Sequence, residues 1–330
     1  MIIVMLLIKT ENKEEQKMIW KKILFIFNPV AGRSQIKNYL LDIIETLSAA
    51  EFKVVCYPTK GRGDARRLAR ERQDDYLYIA CAGGDGTLDE VVSGMMENPN
   101  KPFVPIGYIP AGTTNDFASS LGIPSDMKMA AEIIAQGKTF RCDLGLFNET
   151  DYFTYVAAFG LFTGTSYETP QQLKNQLGHF AYILQGVSEL GKIRAYHIHL
   201  DAIAEKDGEE HIIDLEGEFA YGMITNSKTV GGFPNLAVKG IDLQDGLFEV
   251  TLVRMPKNPL ELSEIFMKLG NPEFDSQMLI SFQTSEITLK SDEIIAWTRD
   301  GEYAGAHKEV RLKNCHERLK ILVPANIASP

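Results

Sequence analysis

The sequence predicts two successive structural units: an α/β unit with a parallel sheet, then an antiparallel β-sandwich. Three observations support this fold class. Short apolar runs alternate with helical segments up to about residue 138, several strand-like segments follow one another after residue 139, and polar turns that contain glycine close three of the early apolar runs. Alternating strands and helices are typical of a parallel sheet covered by helices, whereas consecutive strands are typical of an antiparallel fold.

The α/β unit begins with the apolar run KILFIF at residues 22–27. A continuous run of this kind is typical of a strand that is buried on both faces of a sheet. A helix is predicted over residues 35–50, and further strands are predicted at FKVVCYP, YLYIACA and FVPIGYIP. The carboxyl ends of parallel strands meet at one edge of the sheet, where ligands bind. The turns NPVAG, GGDGT and AGTTND all fall at that edge.

The second unit contains strand-like segments separated by turn residues, among them RCDLGLF and LFEVTLV. Apolar and polar residues alternate in IRAYHIHLDAIA, as in a half-exposed strand. One helical interval is predicted over residues 171–190, and the final apolar run RLKILVP is expected to return to the first sheet. The predicted domains are therefore 20–138 plus 318–330, and 139–317, with an N-terminal extension at 1–19.

The composition excludes several classes of protein. The 330 residues are 45% apolar and 24% charged, and the formal net charge of −10 argues against a general nucleic-acid binder. The four cysteines show no CxxC spacing, so no disulfide framework or zinc site is expected and the cytoplasm is the predicted location. The apolar run that opens the sequence is far shorter than the roughly 20 residues that span a bilayer. The basic stretch 60–72 is interpreted as a solvated helix face in preference to a phosphate or membrane contact.

The turn GGDGT carries the strongest chemical signal in the α/β unit. Gly83, Gly84 and Gly86 leave backbone N–H groups uncovered ahead of a helix, whose positive N-terminal end favours a phosphate. Asp85 lies among these glycines, and a metal ion that accompanies the phosphate would make its negative charge tolerable. A Walker sequence and a clear GxGxxG turn are both absent from the sequence, which disfavours the standard P-loop and dinucleotide sites.

Two further turns are ambiguous when each is considered alone. Thr113, Asn115 and Asp116 follow the fourth predicted strand, where they either cap the next helix or share a nucleotide site with the turn GGDGT. Two such turns from neighbouring strands favour the shared site. Asp300 and Gly301 lie between short strands and are first of all a hairpin turn.

Six motifs, in order over about residues 20–325, resemble those of the bacterial diacylglycerol kinase and related lipid kinase family. They are FNPVAGRS at 27–34, GGDGTLDEVVSG at 83–94, PAGTTNDFA at 110–118, LGHFAY at 177–182, LQDGLFEV at 243–250 and RDGE at 299–302. Four residues depart from the family pattern. Ala31 replaces a serine, Asp89 and Ser93 replace asparagines, and Arg299 replaces a residue that is commonly apolar.

The resemblance implies an N-terminal ATP-binding domain, a C-terminal β-sandwich domain and a catalytic cleft between them. It implies that Asp300 is the general base on a lipid hydroxyl, that Glu302 supports it, and that Asp85 is also catalytic. The implied nucleotide-binding residues are Asn28, Thr59, Gly83, Gly84, Asp85, Gly86, Thr87, Thr113, Asn115 and Asp116.

The same resemblance implies two magnesium sites. Asp85 and Asp116 would organise the catalytic Mg²⁺, and Asp245 with the Leu247 carbonyl would hold a second, structural Mg²⁺. Magnesium prefers oxygen ligands and keeps several waters, so few protein carboxylates are required at either site.

The implied function is an ATP- and Mg²⁺-dependent lipid kinase that acts on diacylglycerol or a related lipid as a peripheral protein at the inner membrane face. Phosphoryl transfer depends mainly on positioning and charge neutralisation, which a glycine loop and a metal ion supply. Two alternatives stay open: a soluble-substrate kinase of the NAD kinase type, and a nucleotide- or lipid-binding regulator without turnover. A homodimer is also left open, and no nucleic-acid partner is expected.

Overall fold

The computed structural model of this chain describes residues 21–327, apart from 73–74, 99, 101–102, 161–193, 207–208, 231–232, 235–240 and 272–273. The extension 1–19, the helix predicted over 171–190 and the motif LGHFAY lie outside the described residues. The helices of the described part are α1 (Ala31–Ser34), α2 (Ile36–Ala49), α3 (Asp64–Glu71), α4 (Asp85–Met96), α5 (Asp116–Ser120), α6 (Met127–Gln136) and α7 (Pro259–Gly270).

The strands of the described part are more numerous than the helices. They are β1 (Lys21–Phe27), β2 (Phe52–Pro58), β3 (Tyr76–Gly83), β4 (Ile106–Pro110), β5 (Thr139–Phe147), β6 (Asp151–Phe153), β7 (Val156–Gly160), β8 (Tyr196–Lys206), β9 (Glu209–Thr225), β10 (Thr229–Val230), β11 (Phe233–Pro234), β12 (Phe248–Arg254), β13 (Leu279–Thr284), β14 (Glu286–Arg299) and β15 (Glu302–Leu322). Elements up to β4 alternate as predicted, and consecutive strands dominate after β5.

The first four strands pair in parallel in the spatial order β2-β1-β3-β4. Consecutive residues of a strand point to opposite faces of the sheet, and the consecutive Ile23 and Leu24 of β1 are both buried. Apolar residues on both faces are what a sheet covered on both sides requires, which explains the continuous apolar run in the sequence. The predicted parallel pairing of this half is confirmed.

The last strand joins the parallel sheet to the antiparallel strands. Near its end, Ile321 of β15 pairs in parallel with Ile106 of β4, while earlier residues of β15 pair antiparallel with β14 and β5. The prediction that the terminal apolar run returns to the first sheet is therefore confirmed. The boundaries proposed for the two domains stay a prediction.

The sequence predicted a β-sandwich of its own for the second half, and this arrangement stays a prediction. Thirteen of the described strands, from both halves, belong to one continuous and mostly antiparallel sheet. Continuity arises because β15 is 21 residues long and reaches from the antiparallel strands to β4. Strand prediction from local sequence patterns does not show that β15 pairs both with the parallel sheet and with the antiparallel strands.

The antiparallel strands curve around a core of their own. β8 pairs with β9, β9 with β7, β7 with β14 and β14 with β8, so these four strands form a closed circuit. Phe159, Phe219 and Trp297 are buried inside it, with centroids of the Phe159 and Trp297 rings 5.0 Å apart. Burial of such large side chains fixes β14, and therefore the hairpin at its end, against β7.

Candidate active site

The three polar turns at the carboxyl edge of the parallel sheet are in direct contact. Gly32 has a φ of +55°, and a Cβ atom there would lie 2.3 Å from the Ala111 carbonyl oxygen. A Cβ atom on Gly112 would lie 2.7 Å from the Cα atom of Gly84. Because real Cβ atoms do not approach other atoms this closely, glycine is required where the turns meet. The sequence prediction that these turns share one edge is correct.

The glycine loop, residues 83–87, leads from β3 directly into α4. Gly84 is the N-cap residue of this helix, and no side chain caps its first turn. At Gly86 an added Cβ atom would meet only the Glu302 Oε1 atom, at 3.8 Å, so open space lies beside the loop there. Thr87 packs against Gly83, where a Cβ atom would lie 2.3 Å from Thr87 Oγ1. The geometry leaves helix N–H groups and space available for an anion.

The turn after β4 is braced by Asn115, which has a φ of +51°. Its Oδ1 atom accepts hydrogen bonds from the Gly112 N–H (2.9 Å) and the Tyr108 hydroxyl (3.3 Å), and its Nδ2 atom donates to the Gly112 carbonyl (3.0 Å). The Asn115 side chain, which was predicted to bind nucleotide, thus forms hydrogen bonds to its own turn and to Tyr108 of β4. Asp116, the first residue of α5, is 1% exposed, whereas Thr113 is exposed.

Asn28 and Thr59 flank the same edge of the sheet. The Asn28 N–H donates to the Ala82 carbonyl at 2.9 Å, next to the glycine loop, and the Thr59 N–H donates to the Phe27 carbonyl at 2.8 Å. Both residues are half-buried. The structure therefore gathers the nucleotide-binding residues predicted from the family resemblance around one edge, and their ligand contacts stay a prediction.

Asp300 is held by the backbone of a neighbouring segment. Its Oδ2 atom accepts hydrogen bonds from the Thr154 N–H (2.6 Å) and the Thr154 hydroxyl (2.8 Å). Its Oδ1 atom accepts from the N–H groups of Tyr155 and Val156, both at 3.0 Å. Asp300 is 4% exposed and has a φ of +48°, so the hairpin 299–302 is fixed in a left-handed turn. The donors Thr154, Tyr155 and Val156 were missed from the sequence.

The hairpin 299–302 faces the glycine loop. Glu302 pairs with Arg62 across an N–O distance of 3.1 Å, and its Oε1 atom lies beside Gly86. Burial raises the pKa of Asp85 to about 6, and the negative charges of Asp116 and Asp300 contribute to that rise. These three carboxylates, predicted from separate motifs, therefore come together in one site, here called the glycine-loop centre.

The donor set of the glycine-loop centre fits a divalent cation. The Oδ1 atom of Asp85 is buried and has no hydrogen-bond partner among the described residues. A buried carboxylate oxygen without a partner is unfavourable, and a hard cation with oxygen ligands removes the penalty. Asp85 thus suits the metal role that was predicted for it.

Two residues at this centre were noted in the sequence only as departures from the family pattern. Asp89 lies one helical turn after Asp85 on α4, and its Oδ1 atom is also buried without a partner in the described part of the chain. Burial raises the pKa of Asp89, and the charge of Asp300 raises it further, whereas the Arg299 and Arg66 charges lower it. The charge of Arg299 thus favours the ionised form of Asp89, although the two residues are far apart in sequence.

A second group of buried acids surrounds Asp245, here called the 245 centre. Asp143 accepts hydrogen bonds from the Gly246 and Glu317 N–H groups, each at 2.7 Å, and is 0% exposed. Asp245 Oδ1 accepts from the Leu247 N–H at 2.9 Å. Burial raises the pKa of Asp245 to about 6. Asp143 was missed from the sequence, and the magnesium site predicted at Asp245 and Leu247 stays a prediction.

Glu249 belongs to the same centre and was also missed from the sequence. It is 0% exposed, and its Oε2 atom has no hydrogen-bond partner among residues that the structure describes. Burial raises its pKa to about 8, with a contribution from the charge of Asp245. The sequence signal was a glutamate on an apolar strand, LFEVTLV, in which neighbouring positions are buried.

Polar side chains on the outer face of β8 form surface ion pairs. His199 Nε2 lies 3.2 Å from Asp201 and 3.6 Å from Asp214, and Lys290 lies 3.7 Å from Asp201. Lys290 offsets the charge of Asp201, and all four side chains are at least 41% exposed. These residues pair with the start of β14 rather than with its end at the hairpin 299–302.

The basic stretch 60–72 forms α3 and its approach. Arg66 and Arg70 pair with Glu97, and Arg67 pairs with Asp64 and Glu71. This pairing agrees with the interpretation of a solvated helix face. Within the described residues, no helix is both long and apolar enough to cross a membrane.

Comparison with known proteins identifies relatives of this chain. The family model "Diacylglycerol kinase catalytic domain" matches residues 22–147. The diacylglycerol kinase of Staphylococcus saprophyticus is 34% identical over 309 residues, which cover 93% of this chain and 97% of that protein. The diacylglycerol kinase of Staphylococcus aureus strain MRSA252 is 33% identical over 311 residues, or 94% of each chain.

Solved structures show the same fold. A diacylglycerol kinase structure from Bacillus anthracis has a TM-score of 0.70 at 21% identity and covers 93% of this chain and 98% of that one. Another structure from the same strain has a TM-score of 0.75 at 23% identity and covers 96% of this chain and 99% of that one.

Proposed function

Because the chain belongs to the diacylglycerol kinase family, and is a kinase on that ground, we propose that it transfers the γ-phosphate of ATP, with Mg²⁺, to a hydroxyl of diacylglycerol or a related lipid. The observation that carries the proposal is the convergence of Asp85, Asp116 and Asp300 beside the glycine loop. A phosphoryl-transfer site needs a cradle for phosphate, carboxylates for a cation and a base for the acceptor hydroxyl, and this centre contains all three.

The glycine loop binds the phosphates of the nucleotide. Uncapped N–H groups at the start of α4 donate to phosphate oxygens, and the helix dipole adds to the attraction. The open space beside Gly86 allows the close approach of a phosphate group. Glu302 and Arg62 lie at the rim of this space, where they form an ion pair.

Asp85 and Asp116 hold the metal ion. Asp85 uses the buried oxygen that has no partner in the described protein. When it is bound, Mg²⁺ neutralises charge on the transferred phosphoryl group. The negative charge of Asp116 contributes to the raised pKa of Asp85, and a bound cation would favour the ionised form of Asp85.

Asp300 takes the proton of the lipid hydroxyl. Both of its oxygens already accept two hydrogen bonds, which orient the carboxylate. Three of the four donors are backbone N–H groups, which cannot turn away. The Thr154 hydroxyl can rotate from donor to acceptor. Once Oδ2 of Asp300 is protonated, it can therefore donate a hydrogen bond to Thr154 Oγ1.

The lipid reaches this site at a membrane surface. The chain binds peripherally, at the cytoplasmic face, because its substrate resides in the bilayer. Its net charge is −10, and a protein with this charge is repelled by an anionic surface unless apolar or basic residues are presented locally. Recruitment to the membrane is therefore expected to depend on a local patch of apolar or basic residues. The oligomeric state of the protein in solution is a separate measurement, and it tests whether the chain forms a homodimer.

The test is phosphate transfer from labelled ATP in mixed micelles that contain diacylglycerol, phosphatidylglycerol, a sphingoid base or no lipid. Turnover is expected with a lipid and Mg²⁺ and is expected to fall by about 10²- to 10⁴-fold in Asp300→Ala. Asp300→Asn keeps the shape of the side chain but sets its NH₂ group against buried N–H donors, so ATP binding is measured for both variants and its retention shows that they are folded. Absence of turnover with every lipid, in a wild-type protein that binds ATP, contradicts the proposal and favours a regulator or a soluble acceptor.

A further inference from the structure

The residues that follow strand β9 contact both ends of the short helix α5. Residues 226–229 are here called the bridge. The Thr229 hydroxyl donates to the carbonyl of Asp116, the first residue of α5, at 3.1 Å. The hydroxyl oxygen of Ser227 lies 2.8 Å from that of Ser120, the last residue of α5, and the Ser120 oxygen also accepts from the next backbone N–H of the bridge at 3.1 Å. The bridge therefore holds the helix that begins with a predicted metal ligand.

The same segment contacts the residues that hold Asp300. The Asn226 N–H donates to the Tyr155 carbonyl at 3.0 Å. The Tyr155 N–H in turn donates to Asp300 Oδ1, also at 3.0 Å. One residue before the bridge, Thr225 of β9 pairs with Val156 of β7, whose N–H donates to the same oxygen of Asp300. This end of the bridge is thus fixed against the backbone that orients the predicted base.

The contacts of the bridge are shielded from water. Asn226 and Ser227 are 0% exposed, and Ser120 is 6% exposed. Within the bridge, the Ser227 hydroxyl donates to the Thr229 carbonyl at 2.6 Å and accepts from the Thr229 N–H at 3.3 Å. Breaking any of these bonds would leave a buried polar group without a partner, which is unfavourable. The bridge is therefore a rigid connection between α5 and the backbone around Asp300.

A rigid connection at this place fixes a distance on which phosphoryl transfer depends. In the proposed reaction, the metal ion and the transferred phosphoryl group lie on the Asp116 side, and the acceptor hydroxyl meets them from the Asp300 side. We propose that the bridge sets the spacing between Asp116 and Asp300, which makes Ser227 and Thr229 positioning residues for phosphoryl transfer. This inference rests on the proposed function of the site. Neither residue is required to touch the nucleotide or the lipid.

Loss of a bridge contact is expected to slow phosphoryl transfer more than it weakens nucleotide binding. None of the hydrogen bonds described above reaches the glycine loop, where the phosphates are proposed to bind. A shift of α5 changes the alignment of the metal ion with the acceptor hydroxyl, and misalignment lowers kcat. A role confined to stability would instead lower the unfolding temperature and leave the kcat of the folded protein unchanged.

The experiment replaces Thr229 in the full chain and measures kcat, KM for ATP and the unfolding temperature, with Mg²⁺ and diacylglycerol in mixed micelles. Thr229→Val has no hydroxyl, so the bond to the Asp116 carbonyl is lost. Its kcat is expected to fall about tenfold, while its KM for ATP changes by less than about twofold. Thr229→Ser keeps the hydroxyl, and its kcat is expected to stay within about twofold of the wild-type value.

Thr46→Val is the matched control. Thr46 lies on α2 and is half-buried like Thr229, and its hydroxyl donates to the Asp42 carbonyl at 2.8 Å. The same chemical change, loss of a threonine hydroxyl that donates to an aspartate carbonyl, is thereby made away from the bridge. The kcat of Thr46→Val is expected to equal that of the wild type.

Ser120 and Ser227 provide a second test, which decides the matter if Thr229→Val does not fold. Ser120→Ala and Ser227→Ala each remove one partner of the same contact. The kcat of the double variant is therefore expected to be close to that of one single variant, and not to show the product of both losses.

The possible outcomes separate this inference from the proposed function. The inference is overturned if an active wild type and Thr229→Val have the same kcat, if Thr229→Ser loses as much kcat as Thr229→Val, or if the losses from the two serine variants multiply. A wild-type protein that phosphorylates no lipid defeats the proposed function, and the inference falls with it.

Discussion

The glycine-loop centre and the 245 centre are two groups of acids with different construction, and in the second Asp143 and Glu249 are buried whereas Asp245 is exposed. The first is assembled from turns that follow separate strands, whereas the second surrounds the single turn 242–247. Each contains one carboxylate whose oxygens accept several protein hydrogen bonds, Asp300 in the first and Asp143 in the second. Each also contains a carboxylate with one buried oxygen that lacks a partner in the described residues, Asp85 and Glu249 respectively.

This comparison separates two tasks of a buried acid. A carboxylate satisfied by backbone N–H groups fixes the chain around it, because its hydrogen bonds join segments that are distant in sequence. A carboxylate with an unpartnered buried oxygen is unfavourable by itself and needs a cation or a proton. We therefore expect that replacing a carboxylate whose oxygens are hydrogen-bonded to the backbone lowers the stability of the protein. Replacing a carboxylate with an unpartnered buried oxygen is expected to weaken ligand binding instead.

The largest effect is expected for Asp143→Asn, which tests the stabilising task without touching the glycine loop. The amide would turn its NH₂ group toward a backbone N–H donor, and two buried N–H groups compete for one oxygen. Unfolding free energy is expected to fall by about 3 kcal/mol, measured by urea unfolding at neutral pH. A loss below about 0.5 kcal/mol contradicts the assignment of Asp143 as a structural brace.

The next largest effect is expected for Gly86→Ala, which tests the ligand-binding task. The free protein has room for the methyl group, so the unfolding temperature is expected to stay the same or to rise. A bound phosphate would lie where the methyl group is placed, so the Kd for ATP, measured calorimetrically with Mg²⁺, is expected to rise more than about tenfold.

Gly112→Ala is the companion variant, because its methyl group would collide with Gly84 and Asn115 in the absence of any ligand. It is expected to lower the unfolding temperature as well as ATP affinity. If Gly86→Ala binds ATP as the wild type does, the open space beside the loop is not the phosphate site.

A smaller effect is expected at the 245 centre on removal of metal. If Asp245 and the Leu247 carbonyl hold a structural Mg²⁺, millimolar Mg²⁺ should raise the unfolding temperature by a few degrees over protein in chelator. Asp245→Asn should abolish that part of the rise while leaving the rise on addition of ATP. A wild-type unfolding temperature that does not respond to Mg²⁺ in the absence of nucleotide argues against the second metal site.

The smallest effect is expected for surface pairs that belong to neither centre. Lys290→Met removes a cation from the exposed group on β8, whose members include His199, Asp201 and Asp214. Such exposed pairs contribute little, so unfolding free energy is expected to change by about 0.5 kcal/mol or less. A larger loss, seen in urea unfolding, would show that the repulsion between Asp201 and Asp214 matters to the fold.

The sequence determined the features that depend on neighbours along the chain. The continuous apolar runs specified the parallel strands, and glycines and acids directly after those strands placed Asp85 and Asp116 at one edge of the sheet. The motif RDGE marked Asp300 through its family resemblance. The separate sandwich stays a prediction, and no local signal shows that β15 is shared by both regions.

Only the tertiary structure decided which groups satisfy those acids and which do not. The donors to Asp300 lie 144 to 146 residues away in the chain, and Asp143 receives donors from residues more than 100 positions later. The Arg299 charge likewise lowers the pKa of Asp89, although Arg299 belongs to a distant hairpin and Asp89 to the helix after the glycine loop. Sequence patterns report the periodicity and burial of single elements, whereas hydrogen bonds and charges between distant elements depend on how the strands are ordered in space.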